Sequence, residues 1–527
     1  MLIAALCGLT TLAVSAGVAA SVPPDDSVPS EPAEPTDTLP DWEPEPIRWT
    51  QSVEWEGAEE GFLEVPVDYA DPDGPTFSLY VTRHPAENPD ERIGALFVNP
   101  GGPGFGGSIY GLAAPLVGFS DEMLDRFDIV AWDPRGTGRS EPFIDCIDDY
   151  DAYFAGYDST PDSEEEREEV IDVAVDFADQ CASKNADIIQ HIGTNNSARD
   201  IDAIRRSIGE EQISWFGFSY GSKLGATWAT LFPDTVRAAV LDGASDPASD
   251  LLEGGLQQTA GFEQTLNTYL AECSADPACD FHSDGDAEDA FDALMAKLDQ
   301  KPVPSVEGRP RVDRGVALQA VSEAMYSESL WDSLSAALAD AREGDGAGLL
   351  ELFDSYYQRD PVAGTWDNSL EAFQTIRCMD EGERLTIEEE DANSPLWTEV
   401  APRFNPEGAI GYFCTFFPPS TDPIIEITGA GAGPIVVCGA TGDAATPVTS
   451  SRNMARALED GRLIVIDAQQ HTCYGADRCG DELIESYLLE LEVPPEETLC
   501  PGVPEDIFEQ EAEEDPVEDV IPPTTLG

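Results

Sequence analysis

Short runs of mostly apolar residues recur along the chain, and most are followed by a turn and then by a stretch with helical spacing. Six of them occupy residues 95–98, 127–132, 213–218, 236–241, 435–438 and 463–466. Two earlier runs, 61–69 and 77–82, are joined by a turn with the sequence Asp-Pro-Asp-Gly. Short apolar strands separated by helices are typical of a mostly parallel sheet covered on both faces. The pattern therefore predicts an α/β fold.

Residues 248–425 interrupt this rhythm, because helical spacing dominates there, for example over 315–339 and 349–357. An insertion of this size between two strands predicts a largely helical cap domain. Outside the folded part, Pro- and acid-rich composition predicts an unfolded linker and an unfolded tail. The predicted order is a signal peptide at 1–20, the linker at 21–47, the first part of the core at 48–247, the cap at 248–425, the second part of the core at 426–502 and the acidic tail at 503–527.

The N-terminus and the cysteines both predict export. Residues 1–20 are uncharged and apolar, and they end in the small residues Val-Ala-Ala, as at a signal-peptide cleavage site. The alternative is an uncleaved anchor that keeps the protein at the cell envelope. Ten cysteines follow Cys7, and an even number in an exported chain favours disulfides. Cys273 and Cys279 are close enough to close a small loop. Zinc is disfavoured, because there is no Cys-x-x-Cys pair and there are only four histidines.

Acidic residues outnumber basic ones by 104 to 27, which gives a formal net charge of −77. Such a charge argues against binding to nucleic acids and to anionic membrane surfaces. It indicates a highly soluble exported surface, which could be adapted to salt. The alternative is a negative field that attracts substrates carrying a free amine.

The pentapeptide Gly-Phe-Ser-Tyr-Gly at 217–221 carries the strongest chemical signal. The apolar run 213–218 leads into Ser219, and a helical stretch begins near Tyr220. Glycines permit a turn too tight for side chains, and the turn presents the serine at the carboxyl edge of the sheet. We predict that Ser219 is a nucleophile, rather than part of an ordinary tight turn.

A serine hydroxyl needs a neighbouring base, and in this strand–turn–helix setting the acid and the histidine follow the serine in the chain. Only His282 and His471 come after Ser219. His282 falls in the predicted cap and is expected to be a solvated surface residue. His471 follows the last apolar run by a short loop, which is the expected position of the base.

The acid must orient the imidazole of the histidine and stabilise its cation. Asp443 follows the run 435–438 and precedes a Thr-Pro pair that opens a helix. A helix-capping aspartate would give the same local pattern, but the position after the penultimate strand favours the catalytic role. Asp467 is the competing candidate, although it lies at the end of the histidine's own strand.

Two backbone N–H groups are expected to stabilise the oxyanion. One belongs to Tyr220, which follows the nucleophile. The other is assigned to Gly102 in the glycine-rich loop 99–104, because Pro103 has no N–H. A phosphate-binding loop is the alternative, but the loop lacks the spacing and the lysine that such a loop requires.

These segments resemble the secreted actinobacterial tripeptidyl aminopeptidases and their relatives, the proline iminopeptidase-like α/β-hydrolases. The similar segments are 65–69, 99–104, 132–140, 197–205, 215–222, Asp443, His471 and the C-terminal module around 479–500. The resemblance implies an α/β-hydrolase fold and no metal or organic cofactor. It also implies exopeptidase activity that releases short peptides, such as tripeptides, or single residues from free N-termini through an acyl-enzyme. It assigns the triad to Ser219, Asp443 and His471.

The resemblance also implies three disulfides, which are Cys479 with Cys500, Cys146 with Cys181, and Cys378 with Cys414. Cys438 and Cys473 then remain and could pair near the site.

An aminopeptidase must hold the substrate's ammonium group, and carboxylates in the cap could do so. Asp380 and Glu381 are the candidates, with a solvated turn as the alternative. The expected partners are peptides with a free N-terminus, and we expect a monomer. One alternative function is a secreted carboxylesterase or lipase, which would use the same triad. Another is a binding protein on an inactive hydrolase scaffold, but the intact triad and glycine-rich loop argue against it.

Overall fold

All eight apolar runs correspond to strands in a computed structural model, which describes residues 42–406 and 408–508. One sheet of ten strands lies in this part of the chain. The strands are β1 (Thr50–Gln51), β2 (Glu59–Pro66), β3 (Thr76–His84), β4 (Gly94–Asn99), β5 (Phe127–Trp132), β6 (Ile213–Phe218), β7 (Val236–Asp242), β8 (Ile435–Ala440), β9 (Gly461–Ile466) and β10 (Glu497–Leu499).

The strand order in the sheet is β1-β2-β3-β5-β4-β6-β7-β8-β9-β10. β1, β2, β3 and β5 pair in antiparallel fashion, and the pairs from β5 through β4 to β10 are parallel. The carboxyl ends of the parallel strands therefore meet along one edge of the sheet, where ligand sites form in open α/β sheets.

Fifteen α-helices are present in the described residues. They are α1 (Ile109–Leu112), α2 (Asp121–Arg126), α3 (Tyr150–Phe154), α4 (Glu164–Lys184), α5 (Thr194–Ser207), α6 (Tyr220–Leu231), α7 (Leu251–Ala275), α8 (Ala287–Gln300), α9 (Arg314–Met325), α10 (Trp331–Glu343), α11 (Ala347–Tyr356), α12 (Ser369–Asp380), α13 (Ile387–Val400), α14 (Val448–Ala457) and α15 (Arg478–Glu490).

Both faces of the sheet are covered by helices, because alternate side chains of the strands enter different cores. In β4, Ala95 and Phe97 pack with residues of α5 and α6, whereas Leu96 and Val98 pack with residues of α2 and α15. Every residue of β4 is buried. This explains why the sequence shows continuous apolar runs rather than an alternating pattern. The predicted α/β class is confirmed.

The cap consists of the segment between β7 and β8, and it contains α7 to α13. The helical pattern at 315–339 is divided between α9 and α10, because the chain turns at Ser327, which forms an antiparallel bridge with Gln470 of the core. A second excursion, α3 and α4, packs on the cap through Val170 and Ala174, which contact Ile410 and Tyr412. The sequence analysis did not separate this excursion from the core.

The predicted linker and tail need correction at their inner ends. Ile47 is buried, and the ring of Trp42 packs edge-on against Tyr69, so residues 42–47 belong to the folded unit. At the other end, Val503 and Phe508 pack against the core, so residues 503–508 are folded too. Large apolar side chains within a polar composition explain both errors. The predicted signal peptide and the remaining parts of the linker and tail lie outside the described residues.

Five disulfides join the ten cysteines that follow Cys7. They are Cys146–Cys181, Cys273–Cys279, Cys378–Cys414, Cys438–Cys473 and Cys479–Cys500. The pairings suggested at the sequence level are confirmed. Across residues 42–406 and 408–508, none of the helices is both long enough and apolar enough to cross a bilayer.

Candidate active site

Ser219 occupies a strained turn between β6 and α6. Its backbone torsions are φ 54° and ψ −125°, a combination that non-glycine residues adopt only where the surroundings enforce it. The Ser219 N–H donates to the carbonyl of Asp242 at 2.8 Å, and the Ser219 carbonyl accepts from the N–H of Ser222 at 2.8 Å. The serine is therefore fixed at the carboxyl edge of the sheet, between two parallel strands.

His471 and Asp443 form a tightly hydrogen-bonded pair. The Nδ1 atom of His471 lies 2.9 Å from both carboxylate oxygens of Asp443. The carboxylate also accepts from the N–H of Ala445 and from both the N–H and the hydroxyl of Thr446, at 2.8–3.0 Å. These bonds orient a buried carboxylate towards one nitrogen of the imidazole, which leaves Nε2 available for chemistry.

Burial opposes the charging of His471, but the negative charge of Asp443, its hydrogen bond and the charge of Asp242 outweigh this effect. The net result is a pKa of His471 above its usual value of 6.5. Among the described residues, Nε2 of His471 is buried and has no hydrogen-bond partner, and Ser219 is not bonded to it either. A substrate-bound state would have to bring the serine hydroxyl and Nε2 together.

The two other candidates raised by the sequence lie elsewhere. Asp467 is exposed and accepts a hydrogen bond from Thr441, 3.0 Å away. His282 contacts the carbonyl of Cys273 in the cap through Nδ1, at 2.9 Å. The structure brings neither of them to the His471–Asp443 pair.

Asp242, which the sequence analysis missed, connects the serine turn to the histidine loop. Its carbonyl accepts from Ser219, and its carboxylate accepts from the N–H groups of Cys473 and Tyr474 at 2.6 and 2.9 Å. Burial raises the pKa of Asp242 to about 7. The next residue, Gly243, approaches His471 so closely that a Cβ there would lie 3.2 Å from Cε1 of the imidazole. The carboxyl end of β7 therefore fixes the spacing between Ser219 and His471.

The substitution Asp242→Asn is expected to shift the acid limb of the pH profile of kcat/KM to lower pH. The ionised carboxylate of Asp242, which predominates above its pKa of about 7, raises the pKa of His471. Its removal therefore lets the imidazole stay neutral, and so basic, at lower pH. The measurement is kcat/KM between pH 5 and 9. Asp467→Asn is the matched control and is expected to leave the limb unchanged. An unchanged limb in Asp242→Asn would contradict the electrostatic coupling.

The glycine-rich loop lies directly against the serine turn. A Cβ at Gly101 would lie 2.7 Å from the carbonyl oxygen of Phe218 and 2.8 Å from Cβ of Ser219, and φ is 106° there, so only glycine fits. The Gly101 N–H is occupied by the side chain of Asn99 at 3.0 Å. In the described part of the chain, the N–H groups of Gly102 and Tyr220 donate to no acceptor. Both residues line one cavity with Ser219.

This cavity has a volume of about 160 Å³ and lies between the core and the cap. Four carboxylates and two cations line it, and they are Asp246, Asp250, Asp380, Glu381, Lys223 and Arg377. The two carboxylates predicted from the sequence therefore reach the cavity that contains Ser219. Asp246, Asp250, Lys223 and Arg377 were not foreseen, because their neighbours in the sequence give no signal for the cavity.

Hydrogen bonds distinguish the four carboxylates. Asp246 accepts from Asn453 at 2.7 Å, and Asp250 accepts from the N–H of Glu253 at 2.8 Å at the start of α7. Asp380 accepts from both the N–H and the hydroxyl of Thr194, at 2.7 and 2.6 Å.

Glu381 differs from the other three. Among the described residues, its carboxylate is in no hydrogen bond and no ion pair. Burial raises its pKa, and the charge of Lys223 acts in the opposite direction. Glu381 is therefore the carboxylate available to a ligand.

Comparison with known proteins defines the family. The sequence profile of the alpha/beta hydrolase fold matches residues 94–474, which is most of the chain. The chain belongs to the α/β-hydrolase family.

Relatives of this hydrolase carry names from two activity classes. "Serine protease Hip1" of Mycobacterium tuberculosis (strain ATCC 25618 / H37Rv) is 34% identical, covering 84% of this chain and 87% of the relative. "Carboxylesterase B" of the same strain is also 34% identical, covering 83% and 85%. "Tripeptidyl aminopeptidase" of Streptomyces lividans is 28% identical, covering 84% and 83%. The resemblance seen in the sequence is confirmed, and the names support a serine hydrolase of the peptidase type.

Two groups of potential metal ligands occur in the described residues. They are Asp242 with Cys438 and Cys473, and Asp477 with Cys479 and Cys500. The cysteines in each group are joined in a disulfide, so they offer no thiolate to a metal. The absence of a cofactor remains a prediction.

Proposed function

We propose that this hydrolase is a secreted serine exopeptidase that releases short peptides, mainly tripeptides, from free N-termini. Ser219 is the nucleophile, His471 the general base and Asp443 the orienting acid. The observation that supports this proposal best is the free carboxylate of Glu381 in the cavity that contains Ser219. A carboxylate without a protein partner is suited to hold the ammonium group of a substrate.

The proposed reaction has two stages. Ser219 Oγ attacks the carbonyl carbon while Nε2 of His471 takes its proton, and the N–H groups of Gly102 and Tyr220 stabilise the oxyanion. The C–N bond then breaks, and His471 gives the proton to the leaving amine. In the second stage His471 deprotonates a water molecule, which hydrolyses the acyl-enzyme and regenerates Ser219.

The distance along α12 between the glycine-rich loop and Glu381 supports the release of three residues at a time. α12 packs on the glycine-rich loop at the start of its second turn, because a Cβ at Gly104 would lie 2.4 Å from the Phe373 nitrogen. Glu381 follows eight residues later, which corresponds to roughly 12 Å at the helical rise. An extended peptide advances about 3.4 Å per residue. An ammonium group held at Glu381 therefore leaves room for three residues before the oxyanion loop.

The test uses chromogenic anilides with zero, one or two residues before the reporter residue, each with a free or an acetylated N-terminus. We expect the tripeptide anilide with a free amine to be cleaved best. In Glu381→Gln, kcat/KM for this substrate is expected to fall about 10- to 100-fold, because a charge-assisted hydrogen bond is lost. The acetylated substrate, which has no ammonium group, is expected to be unaffected.

Glu383→Gln is the matched control, because Glu383 is exposed and two residues away in sequence. Equal losses in both variants, or equal cleavage of free and acetylated substrates, would reject the amine-binding role of Glu381.

A carboxylesterase is the second candidate, favoured by the name of one relative. Its catalytic residues would be the same. Cleavage of p-nitrophenyl esters without cleavage of any anilide would assign the protein to this class.

Export is part of the proposal. Five disulfides in one chain are typical of oxidising compartments. N-terminal sequencing of protein recovered from the medium is expected to begin at Ser21. Recovery of all of the protein from the cytoplasm would contradict export.

A further inference from the structure

The cavity also contains a cation without a protein partner, Arg377 on α12. Among the described residues, its guanidinium makes no hydrogen bond and no ion pair. This is unusual in a chain with 104 acidic and 27 basic residues, where most arginine side chains have a carboxylate within reach. Arg309, for example, pairs with both Asp151 and Asp354.

The surroundings of Arg377 leave its donors free. Its guanidinium carbon lies 5.1 Å from the ring centre of Phe373, so an aromatic face covers one side of the plane. Burial lowers the pKa of Arg377, and the electrostatic effects of Tyr356 and Glu381 counteract this only in part. A guanidinium has five N–H donors in a rigid fork that matches a carboxylate. A partly buried fork without an acceptor is therefore suited to an anionic ligand.

Lys223, the other cation in the cavity, differs from Arg377 in its chemistry. Burial raises the pKa of both Asp380 and Glu381, and the charge of Lys223 opposes this increase. Like Arg377, Lys223 makes no hydrogen bond through its side chain and no ion pair among the described residues. Its ammonium is a compact point charge, whereas the guanidinium of Arg377 offers a planar fork that matches a carboxylate, so Arg377 is the cation suited to an acidic side chain.

The position of Arg377 along α12 identifies the part of the substrate that it faces. It lies one helical turn after Phe373, which is next to the glycine-rich loop, and one turn before Glu381. Each of these steps is about 6 Å along the helix axis. A peptide held between Ser219 and Glu381 would therefore bring its middle residue alongside Arg377.

We propose that Arg377 forms a subsite for an acidic side chain on the middle residue of the released tripeptide. This inference rests on the proposed function and adds a substrate class to it, namely peptides with a free amine and an Asp or Glu at the second position. The large negative net charge of the protein does not prevent this selection. Charges beyond the Debye length of about 8 Å are largely screened at physiological ionic strength, so the selection depends on the groups inside the cavity. There, direct hydrogen bonds from Arg377 have to outweigh the repulsion from the four carboxylates.

The test compares two isosteric substrates, Ala-Glu-Ala-anilide and Ala-Gln-Ala-anilide, which differ in charge but hardly in shape. The wild-type protein is expected to prefer the Glu substrate about tenfold in kcat/KM, which corresponds to ~1.4 kcal/mol. In Arg377→Gln the ratio is expected to fall to about one. Arg377→Lys keeps the charge without the fork and is expected to give an intermediate ratio. Arg478→Gln, at an exposed position on α15, is the matched control and should keep the wild-type ratio.

Binding of the free tripeptides Ala-Glu-Ala and Ala-Gln-Ala to the Ser219→Ala variant, measured by calorimetry, makes the result independent of turnover. Tighter binding of the Glu peptide that disappears in Ser219→Ala/Arg377→Gln supports the subsite. Cleavage of both anilides at equal rates, or a Glu preference that survives in Arg377→Gln, would overturn the subsite while leaving the exopeptidase intact. If neither anilide is cleaved and neither tripeptide binds, the proposed function fails and the subsite fails with it.

Discussion

Replacing Ser219 with alanine is expected to lower kcat for the tripeptide anilide by a factor on the order of 10⁶. The alanine side chain has no oxygen that could form the acyl-enzyme, and His471 would then have no hydroxyl to deprotonate. Folding should be unaffected, because the backbone N–H bond from residue 219 to Asp242 does not involve the side chain. The measurement is kcat, together with the melting temperature and labelling by a fluorophosphonate probe.

Combining Ser219→Ala with His471→Ala gives a sharper test of the same prediction. If the two residues act as one unit, the double variant loses no more activity than either single variant. Multiplicative losses would indicate that His471 acts independently of Ser219. Labelling of the Ser219→Ala variant by the probe would show that another residue is the nucleophile.

The substitution Asp443→Asn is expected to lower kcat by about 10⁴-fold, with KM changing far less. Asp443 is the acceptor for Nδ1 of His471, and the NH₂ group of asparagine cannot accept from an Nδ1–H. The imidazole would then favour the tautomer that carries its proton on Nε2, where it cannot act as a base. Loss of the negative charge would also lower the pKa of His471 and weaken the stabilisation of its cation.

Asp467→Asn again serves as the matched control, because Asp467 bonds to Thr441 and not to the imidazole. We expect kcat within about twofold of the wild type for that variant, as for ordinary surface substitutions. A larger loss of kcat in Asp467→Asn than in Asp443→Asn would assign the role of the orienting acid to Asp467 instead of Asp443. The melting temperature should be recorded as well, since Asp443 also accepts three hydrogen bonds from Ala445 and Thr446.

Much of this architecture could be predicted from the sequence, because it depends on neighbouring residues. The run 95–98 is apolar at every position, which is typical of a strand covered on both faces. The glycines on either side of Ser219 indicate a tight turn that residues with a side chain could adopt only with strain. The positions of Asp443 and His471 after two late strands follow from the order of strands and helices along the chain.

The errors and omissions have a different physical origin. Residues 42–47 look like linker in composition, yet Ile47 is buried, because it packs on strands whose position the local sequence does not encode. In the sequence, Asp242 is only the last residue of a mostly apolar strand. Its importance comes from N–H groups that are 231 and 232 residues away in sequence.

The sequence alone determined the class of fold, and it predicted the tight turn that carries Ser219 and the candidate acid and base, since backbone geometry and burial constrain which residues can occupy these positions. The tertiary structure decided which polar groups of the cavity are already bonded and which are free. Asp380 and Glu381 are neighbours with similar chemistry, but Thr194, from α5, donates hydrogen bonds to Asp380, whereas the carboxylate of Glu381 accepts none from the described residues. Arg377 makes no ion pair among the described residues, and nothing in its local sequence indicates this. Partners of this kind depend on contacts between distant segments, which form only when the whole chain packs.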